Sequence, residues 1–484
     1  MITPPAIQRG LFTLDRSLFN KSVNVMALRI PASMTMECKK ALGTDMLLVP
    51  KIRNVVDSDD GEKSKRLVLL SMAIKNKEME GASEKTKEFV KEHGFELAET
   101  QFQVSYDYWT ADEVVRAILP EELLVEAPSS FTTVGHIAHM NLKDEYLPWK
   151  HLIGQVILDK NPNLKTVVNK TDSIDTTFRF FKMEVLAGED NMIAEVRESG
   201  CRFKFDFAQV YWNSRLHTEH DRLVKMFKAT DAVCDVMAGV GPFAMPAAKK
   251  GCNVYANDLN PTSYKYMLEN AKLNKIQNNL HIYNLDGREF IRKAVEDLET
   301  NGYRPANMVM PTNNKGKKDT KTSATTTTTP PTASKPETSE PTSEASTSSP
   351  AFKTFDHFVM NLPATAIEFL DAFRGLFKGR EAQITQPKVQ LPMIHCHCFS
   401  KSETPEDDVR ERVESVMGGK LERDSVHLHW VRKVAPNKDM YCISFRLPAE
   451  IAFASDVKRK LEVASSEDVS EASEPSSEKR TKTE

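Results

Sequence analysis

The 484-residue sequence is short of long apolar runs, of cysteine and of excess positive charge. No stretch approaches the roughly 18–20 consecutive apolar residues that span a membrane, so a transmembrane protein is not expected. Seven cysteines are an odd number, and no apolar secretory segment precedes them. This argues against a disulfide framework and favours a reducing compartment. The net charge of −3 excludes a positive field over the whole surface, so RNA binding would need a local patch.

Two segments contain too few apolar residues to fold. Residues 311–350 contain no Val, Ile, Leu, Met or aromatic residue. Residues 462–484 hold seven acids and three bases, a net charge of −4. Such segments have little to bury against the entropy that is lost on ordering. We therefore predict a disordered insertion at 311–351 and a disordered acidic tail at 461–484.

The first thirty residues are basic and poor in acids. Arg9, Arg16, Lys21 and Arg29 stand against Asp15 alone. This bias is typical of a mitochondrial presequence, and an untidy flexible N-terminus is the alternative. The predicted parts of the chain are a flexible N-terminus at 1–29, an N-terminal domain at 30–115, a middle α/β domain at 116–226 and a last domain at 227–460.

The last domain alternates strand and helix signals. A strand at 232–237 leads through a Gly-rich turn into a helix, and a strand at 253–256 and a helix at 263–273 follow. A further strand at 356–361 and a helix at 364–377 come after the insertion. This alternation predicts an α/β fold with a parallel sheet, from which the insertion protrudes as a loop.

Acidic residues and glycines stand where the predicted strands end. Asp235 ends the first strand, and Gly239 and Gly241 after it let the backbone turn tightly and approach a ligand. Asp258 ends the second strand, where a carboxylate can accept hydrogen bonds from ribose hydroxyls. Asp286-Gly287 follows a third predicted strand at 281–285, and Asn361-Leu362-Pro363 stands at the end of the fourth, at 356–361.

Residues 239–244 also fit the G-x-G-x-x-A pattern of nicotinamide dehydrogenases, which alone is a weak signal. Asp235 shifts the balance, because a dinucleotide would place its pyrophosphate at the glycines, beside this carboxylate. A methyl donor has no phosphate, and its sulfonium and ammonium groups favour nearby carboxylates. The pattern therefore favours S-adenosylmethionine over a dinucleotide.

Several motifs together resemble the archaeal and eukaryotic tRNA (guanine(37)-N1)-methyltransferase family. Residues 235–248 are similar to its first methyltransferase motif, and Asn361-Leu362-Pro363 is similar to its fourth. Residues 210–222 resemble the segment before the methyltransferase domain, and Phe178-Arg179 and residues 185–189 resemble the middle domain. The resemblance implies a class I, Rossmann-like methyltransferase domain preceded by two smaller domains of α/β or α+β type.

The resemblance also implies a reaction and a set of roles. The reaction is transfer of a methyl group from S-adenosylmethionine to N1 of guanosine 37 in cytoplasmic and mitochondrial tRNAs, the first step of wybutosine synthesis on phenylalanine tRNA. Methylation removes the N1 proton and places negative charge on O6, so a base and a donor are needed. The base corresponds to Glu219, the O6 donor to Arg179, and the target-base pocket to Asn361 and Pro363. The methyl-donor positions correspond to His220, Asp235, Gly239, Gly241, Asp258, Leu259, Asp286, Gly287 and Asn361.

The resemblance implies that the partner is tRNA and that neither a membrane nor a metal is involved. It also implies a monomeric enzyme in the mitochondrial matrix, nucleus and cytoplasm. The N-terminal domain would dock on a distant part of the tRNA. One alternative is another S-adenosylmethionine-dependent tRNA-modifying transferase, such as one for aminocarboxypropyl transfer. Another is a non-catalytic tRNA-binding protein. Taken alone, Glu219 could also be an exposed member of a charged helix start.

Four consecutive residues of metal-ligating type suggest a metal site: His395, Cys396, His397 and Cys398. Strict alternation on an apolar strand would point the two histidines to one face and the two cysteines to the other. The four ligands of a tetrahedral zinc site must converge. We therefore predict a structural strand here and no metal.

Overall fold

The computed structural model describes residues 2–59, 61–128, 130–174, 181–276, 278–301, 354–384 and 389–455. The predicted insertion, the predicted acidic tail from residue 461 and Arg179 lie outside these residues. The described residues up to Phe290 form one compact unit, and those from Ile291 onward form a second. Within the described ranges, no helix is both long enough and apolar enough to cross a membrane.

The first unit begins with four antiparallel strands and two helices. They are β1 (Lys21–Pro31), α1 (Thr35–Leu42), β2 (Val55–Asp57), β3 (Lys65–Leu69), α2 (Glu84–His93) and β4 (Glu96–Val104). The strand order is β2-β3-β1-β4, so β1 pairs with both β3 and β4. Alternate residues of β1 serve different cores. Val25 and Ala27 belong to one hydrophobic cluster, and Met26 and Leu28 belong to another.

The segment ahead of β1 is attached to the fold. The indole N–H of Trp109 donates to the carbonyl of Phe19 at 2.8 Å. The guanidinium of Arg16 binds the carboxylate of Asp159 through two hydrogen bonds of 2.8 and 3.0 Å. From Arg16 onward, these contacts and β1 itself correct the prediction of a flexible N-terminus at 1–29. Arg16, one of the basic residues that suggested a presequence, binds Asp159 of the folded chain.

A second sheet and two helices follow. They are α3 (Ala111–Ile118), β5 (Thr132–Val134), β6 (Ile137–Met140), α4 (Lys150–Lys160), β7 (Thr166–Ile174) and β8 (Phe181–Gly188). The strand order is β5-β6-β7-β8, with β6 and β7 parallel. One hydrophobic cluster joins buried residues of β1, β4, α3, α4 and β7. The predicted boundary between residues 115 and 116 falls inside α3, and the two predicted N-terminal domains share a core.

A hairpin and a run of alternating helices and strands come next. They are β9 (Ile193–Glu198), β10 (Cys201–Asp206), α5 (His217–Met226), β11 (Ala232–Asp235), α6 (Ala244–Lys250), β12 (Asn253–Asn257), α7 (Pro261–Leu273), β13 (Leu280–Tyr283) and α8 (Gly287–Asn301). The strands β13-β12-β11 are parallel neighbours in that order. Every residue of β11 and β12 is buried, which is typical of parallel strands covered on both faces.

The second unit contains four strands of mixed direction. Its elements are β14 (His357–Met360), α9 (Glu381–Ile384), β15 (Met393–Ser400), α10 (Pro405–Met417), β16 (Val426–Ala435), β17 (Lys438–Arg446) and α11 (Ala449–Ala452). The order is β14-β15-β17-β16, with β14 and β15 parallel and the other pairs antiparallel. The helix predicted at 364–377 is a 3-10 helix over Ala366–Phe373. The predicted α/β class is confirmed.

The shared core predicts that the two N-terminal sheets unfold together. Ile153 on α4 is fully buried in this core, so Ile153→Ala should lower the free energy of unfolding by about 2–5 kcal/mol. Hydrogen exchange of the β4 amides should then accelerate as much as that of the β7 amides. Val125→Ala, at a side chain 90% exposed, is the control and should change neither. Unchanged exchange in β4 would show that the sheets unfold separately.

Candidate active site

A glycine turn joins β11 to α6. Gly239 has a φ of +58° and Gly241 a φ of +96°, a region that disfavours other residues. A Cβ built on Gly239 would meet none of the described atoms within 4 Å. A Cβ on Gly241 would lie 3.0 Å from the Cγ and Cε atoms of Met245. Gly239 therefore borders open space where a ligand can approach, whereas Gly241 permits the packing of α6.

Asp258 follows β12 and is bonded to this turn. Its Oδ2 accepts from the amide of Gly239 at 2.8 Å, and its Oδ1 accepts from the amide of Asn260 at 2.9 Å. Burial raises the pKa of the Asp258 carboxyl above its usual range, and these two amides oppose that rise. The Ser263 side chain also hydrogen-bonds this carboxylate, and a carboxylate has about four acceptor sites, so it can still accept from a ribose hydroxyl. The neighbouring Leu259 is 50% exposed and offers an apolar surface beside it.

The ends of the three parallel strands are joined by the buried side chain of Asn257. Its Nδ2 donates to the carbonyls of Val236 at 3.1 Å and Leu285 at 3.0 Å. Its Oδ1 accepts from the amide of Leu285 at 2.8 Å. Sequence reasoning missed this residue. An asparagine as the last residue of a fully buried strand was the available signal, because a buried amide needs hydrogen-bond partners.

The third acidic position lies at the start of α8. Asp286 is exposed, and its carboxylate accepts from the amide of Arg288 at 2.9 Å. Gly287 is the first residue of the helix and is buried. Asp235, at the end of β11, is instead fully buried. A buried carboxylate favours a cationic neighbour, which suits the charged groups expected of the methyl donor.

Helix α5 carries Glu219 and His220, both only 3% exposed. Arg222 donates to the Glu219 carboxylate through Nε at 2.6 Å and Nη2 at 2.8 Å. Glu219 is therefore not an exposed member of a charged run. Sequence reasoning also missed Arg222. The signal was an opposite charge three residues along one helix.

His220 is held from a different element. Its Nδ1 lies 2.5 Å from Oε1 of Glu198, at the end of β9. Its ring meets that of Phe243 edge-on, with centroids 4.7 Å apart. Glu198 and Phe243 thus fix the ring next to the glycine turn. Because Glu198 is 22 residues from His220, the sequence alone could not pair them.

Asn361 and Pro363 lie in the second unit, just after β14. The Asn361 Oδ1 is buried and has no hydrogen-bond partner among the residues that the structure describes. The carbonyl of Pro363 accepts from the amide of Phe399 at 3.1 Å, which attaches this turn to β15. A buried carbonyl without a partner costs stability, so a ligand that donates to it gains affinity. The predicted catalytic Arg179 lies outside the described residues.

The His-Cys string on β15 is buried. His395 bonds through Nδ1 to the Ser444 hydroxyl at 2.8 Å and through Nε2 to His357 at 3.1 Å. Burial raises the pKa of the Cys398 thiol to about 12 and that of Cys396 well above its usual range. Metal ligation by cysteine uses the thiolate. These two side chains therefore fit a packed strand.

Two family models match the chain. The TRM5/TYW2 methyltransferase domain matches residues 194–304, and the TYW2 N-terminal domain matches residues 111–191. The first of these begins in hairpin β9–β10 and includes α5 and the glycine turn. The second covers the sheet β5-β6-β7-β8.

Full-length relatives are similar over most of the chain. The sequence is 48% identical over 459 residues to a tRNA (guanine(37)-N(1))-methyltransferase of Batrachochytrium dendrobatidis, covering 94% of this chain and 92% of that protein. It is 46% identical to the Schizosaccharomyces pombe protein of the same name, covering 92% and 96%. The solved complex of aTrm5 and tRNALeu has a TM-score of 0.56 at 18% identity, covering 87% and 100%. That likeness concerns the fold and confirms the predicted Rossmann-like class with an extra N-terminal domain.

The two glycines of the turn should separate ligand binding from stability. Asparagine tolerates positive φ better than most residues. Gly239→Asn places its side chain in the open space and should weaken S-adenosylmethionine binding by roughly tenfold or more, ~1.4 kcal/mol. Gly241→Asn meets Met245 and should instead lower the free energy of unfolding by about 1–3 kcal/mol. Calorimetry and thermal unfolding measure the two effects. Binding of NADH, or full donor affinity in Gly239→Asn, would contradict this assignment.

Proposed function

The chain belongs to the tRNA (guanine(37)-N(1))-methyltransferase family, and we propose that it transfers a methyl group from S-adenosylmethionine to N1 of guanosine 37 in tRNA. The observation that carries the proposal is the Glu219 carboxylate, buried near the start of α5 and bonded twice by Arg222. Removal of the N1 proton needs a base in a fixed position, and a buried carboxylate held in one orientation can serve as that base.

The reaction forms an N1–CH3 bond, breaks an S–CH3 bond and releases the N1 proton. Glu219 takes that proton. Each of its oxygens accepts one hydrogen bond from Arg222, and the oxygens of an ionised carboxylate accept through two lone pairs each. Arg222 fixes the direction of those lone pairs, because a bidentate guanidinium holds a carboxylate in its own plane. Arg179 donates to O6, a role that rests on the family resemblance.

S-adenosylmethionine supplies an electrophilic methyl group on its sulfonium. The residues that bind it are His220, Asp235, Gly239, Gly241, Asp258, Leu259, Asp286, Gly287 and Asn361. Three observations support this set. Gly239 borders open space, the oxygens of Asp258 retain acceptor capacity, and the buried Oδ1 of Asn361 has no hydrogen-bond partner within the described part of the chain. No metal takes part in the proposed reaction.

We infer further that the enzyme acts as a monomer and begins wybutosine synthesis on phenylalanine tRNA. We place it in the mitochondrial matrix, nucleus and cytoplasm, a placement that follows the family resemblance. Since Arg16 binds Asp159, removal of a presequence that extends past Arg16 would cost contacts of the fold. N-terminal sequencing of the mitochondrial form should find its first residue at or before Arg16.

One assay tests the reaction. The chain is incubated with S-adenosylmethionine and tRNA transcripts that carry G or A at position 37, and the product nucleoside is mapped. We expect N1-methylguanosine at position 37 of the G transcript and none from the A transcript. An aminocarboxypropyl product, or a methyl group at another base, would overturn the proposal.

Replacing the proposed base should slow chemistry more than binding. Glu219→Gln keeps the size of the side chain and one acceptor oxygen for Arg222, but it cannot take the proton. The single-turnover rate should fall by roughly 10²–10⁴-fold, and the affinities for tRNA and donor should change little. The rise of the wild-type rate with pH at its lower limb should disappear.

Glu195→Gln is the matched control, because Glu195 also pairs with an arginine, Arg202, but is exposed. It should methylate at the wild-type rate. Arg222→Met should retain the buried carboxylate without its orientation and should reduce the rate without removing the pH dependence. A near wild-type rate for Glu219→Gln would remove Glu219 from the role of base.

A further inference from the structure

A cavity of about 520 Å³ lies beside Pro363 in the second unit. Its walls come from the turn after β14, the end of β15, helix α10 and the start of β17. The lining includes Pro363, Thr365, Phe399, Arg412, Ser415 and Lys438. In open α/β sheets ligands bind outside the carboxyl ends of the strands. Pro363 and Phe399 lie at the carboxyl ends of the parallel strands β14 and β15, so the cavity occupies that edge.

An aromatic ring and an ammonium group meet inside the cavity. The Nζ of Lys438 lies 4.2 Å from the centroid of the Phe399 ring. The backbone of Phe399 is fixed on both sides, since its amide donates to Pro363 at 3.1 Å and its carbonyl accepts from Arg412 Nη1 at 2.9 Å. The ring is thus anchored, whereas the ammonium sits on a flexible four-carbon stem.

Lys438 is the cation of this cavity that can bind an anion, because Arg412 is paired with Asp408 at 3.0 Å. Arg412 and Lys438 are cations, and Glu368 is the carboxylate that also lines the walls. Arg412 uses Nη1 for Phe399 and for Asp408 at 3.0 Å, which positions its guanidinium plane. A cation beside an aromatic ring is an arrangement with which proteins bind single-stranded RNA, and the Phe399 ring is half-buried.

We propose that this cavity binds the nucleotide next to the target guanosine in the anticodon loop, with its base stacked on Phe399 and its phosphate held by Lys438. The proposal rests on the proposed function, because Pro363, which the family resemblance assigns to the target-base pocket, also lines this cavity. The volume lies within the range of pockets that hold a small ligand of nucleotide size.

When the nucleotide binds, its base replaces the ammonium of Lys438 as the partner of the Phe399 ring. The ammonium of Lys438 turns from the ring to a phosphate oxygen, which leaves a ring face for the base. Stacking on phenylalanine needs only the flat face that all four bases share, so the subsite tolerates any base. It positions the adjoining guanosine without reading the sequence around it.

Abasic substrates test the stacking. Binding of tRNA by the full chain is measured by fluorescence anisotropy, with intact tRNA and with tRNA that lacks the base immediately 5′ or 3′ of the target. Loss of the base on one side should weaken binding to the wild type by roughly tenfold. Phe399→Leu should weaken binding of intact tRNA by a similar factor and should show no further loss with that abasic tRNA. Additive losses for both abasic positions would overturn the stacking.

Salt dependence tests the phosphate contact. Lys438→Ala should lower the slope of log Kd against log salt concentration by about one phosphate contact. Lys433→Ala, an exposed lysine of the same hairpin that does not line the cavity, is the matched control. Affinity for S-adenosylmethionine and thermal unfolding should be unchanged in both variants. A change of donor affinity in Lys438→Ala, or equal slopes for the two variants, would overturn the proposal.

The outcomes separate this inference from the proposed function. If the wild type forms N1-methylguanosine at position 37 but Phe399→Leu and Lys438→Ala bind tRNA as the wild type does, only the subsite is wrong. If the wild type forms no such product, the proposed function fails whatever the variants do.

Discussion

The buried amide of Asn257 is the constraint on which the ligand-binding edge of the first unit depends. One side chain bonds the chain after β11 to the chain after β13 from its own place at the end of β12. With these three ends held together, the glycine turn lies close enough to Asp258 for the amide of Gly239 to donate to it. The spacing of the three loops is therefore set by hydrogen bonds between one side chain and the backbone, which an isolated loop could not form.

The hairpin β9–β10 supports the proposed catalytic helix from the other side. Glu198 at its turn bonds His220 on α5. The amides of Arg202 and Lys204 on β10 donate to Asn274 and Asn270, both at 2.8 Å, at the end of α7. The hairpin thus connects α5 to a helix of the parallel sheet. Glu219 is positioned through this frame as well as by Arg222, so small shifts of the hairpin would move the carboxylate.

Local patterns were enough to find one side of the site. Asp235, Asp258, Asp286 and the nearby glycines could be predicted to lie at the ends of strands. Strand periodicity and turn chemistry depend on neighbouring residues, so they can be recognised from a short stretch of sequence. Glu198 and Asn257 could not be assigned roles, because their partners come from elements far away in sequence. The attachment of the residues before β1 to the fold was also missed. Its basic side chains suggested a free segment, and only the tertiary fold brings Asp159 to Arg16.

The place of β1 at the centre of its sheet has a consequence for synthesis on the ribosome. Chains emerge from the N-terminus, and domains fold as units. β1 is the first of the described strands to be made, yet its neighbour β4 ends at Val104, and the core that covers one of its faces extends to Ala187. One face of this strand is therefore incompletely covered until more than a third of the polypeptide has been translated. The order of the strands alone therefore gives a long period during translation in which a chaperone could bind the nascent chain.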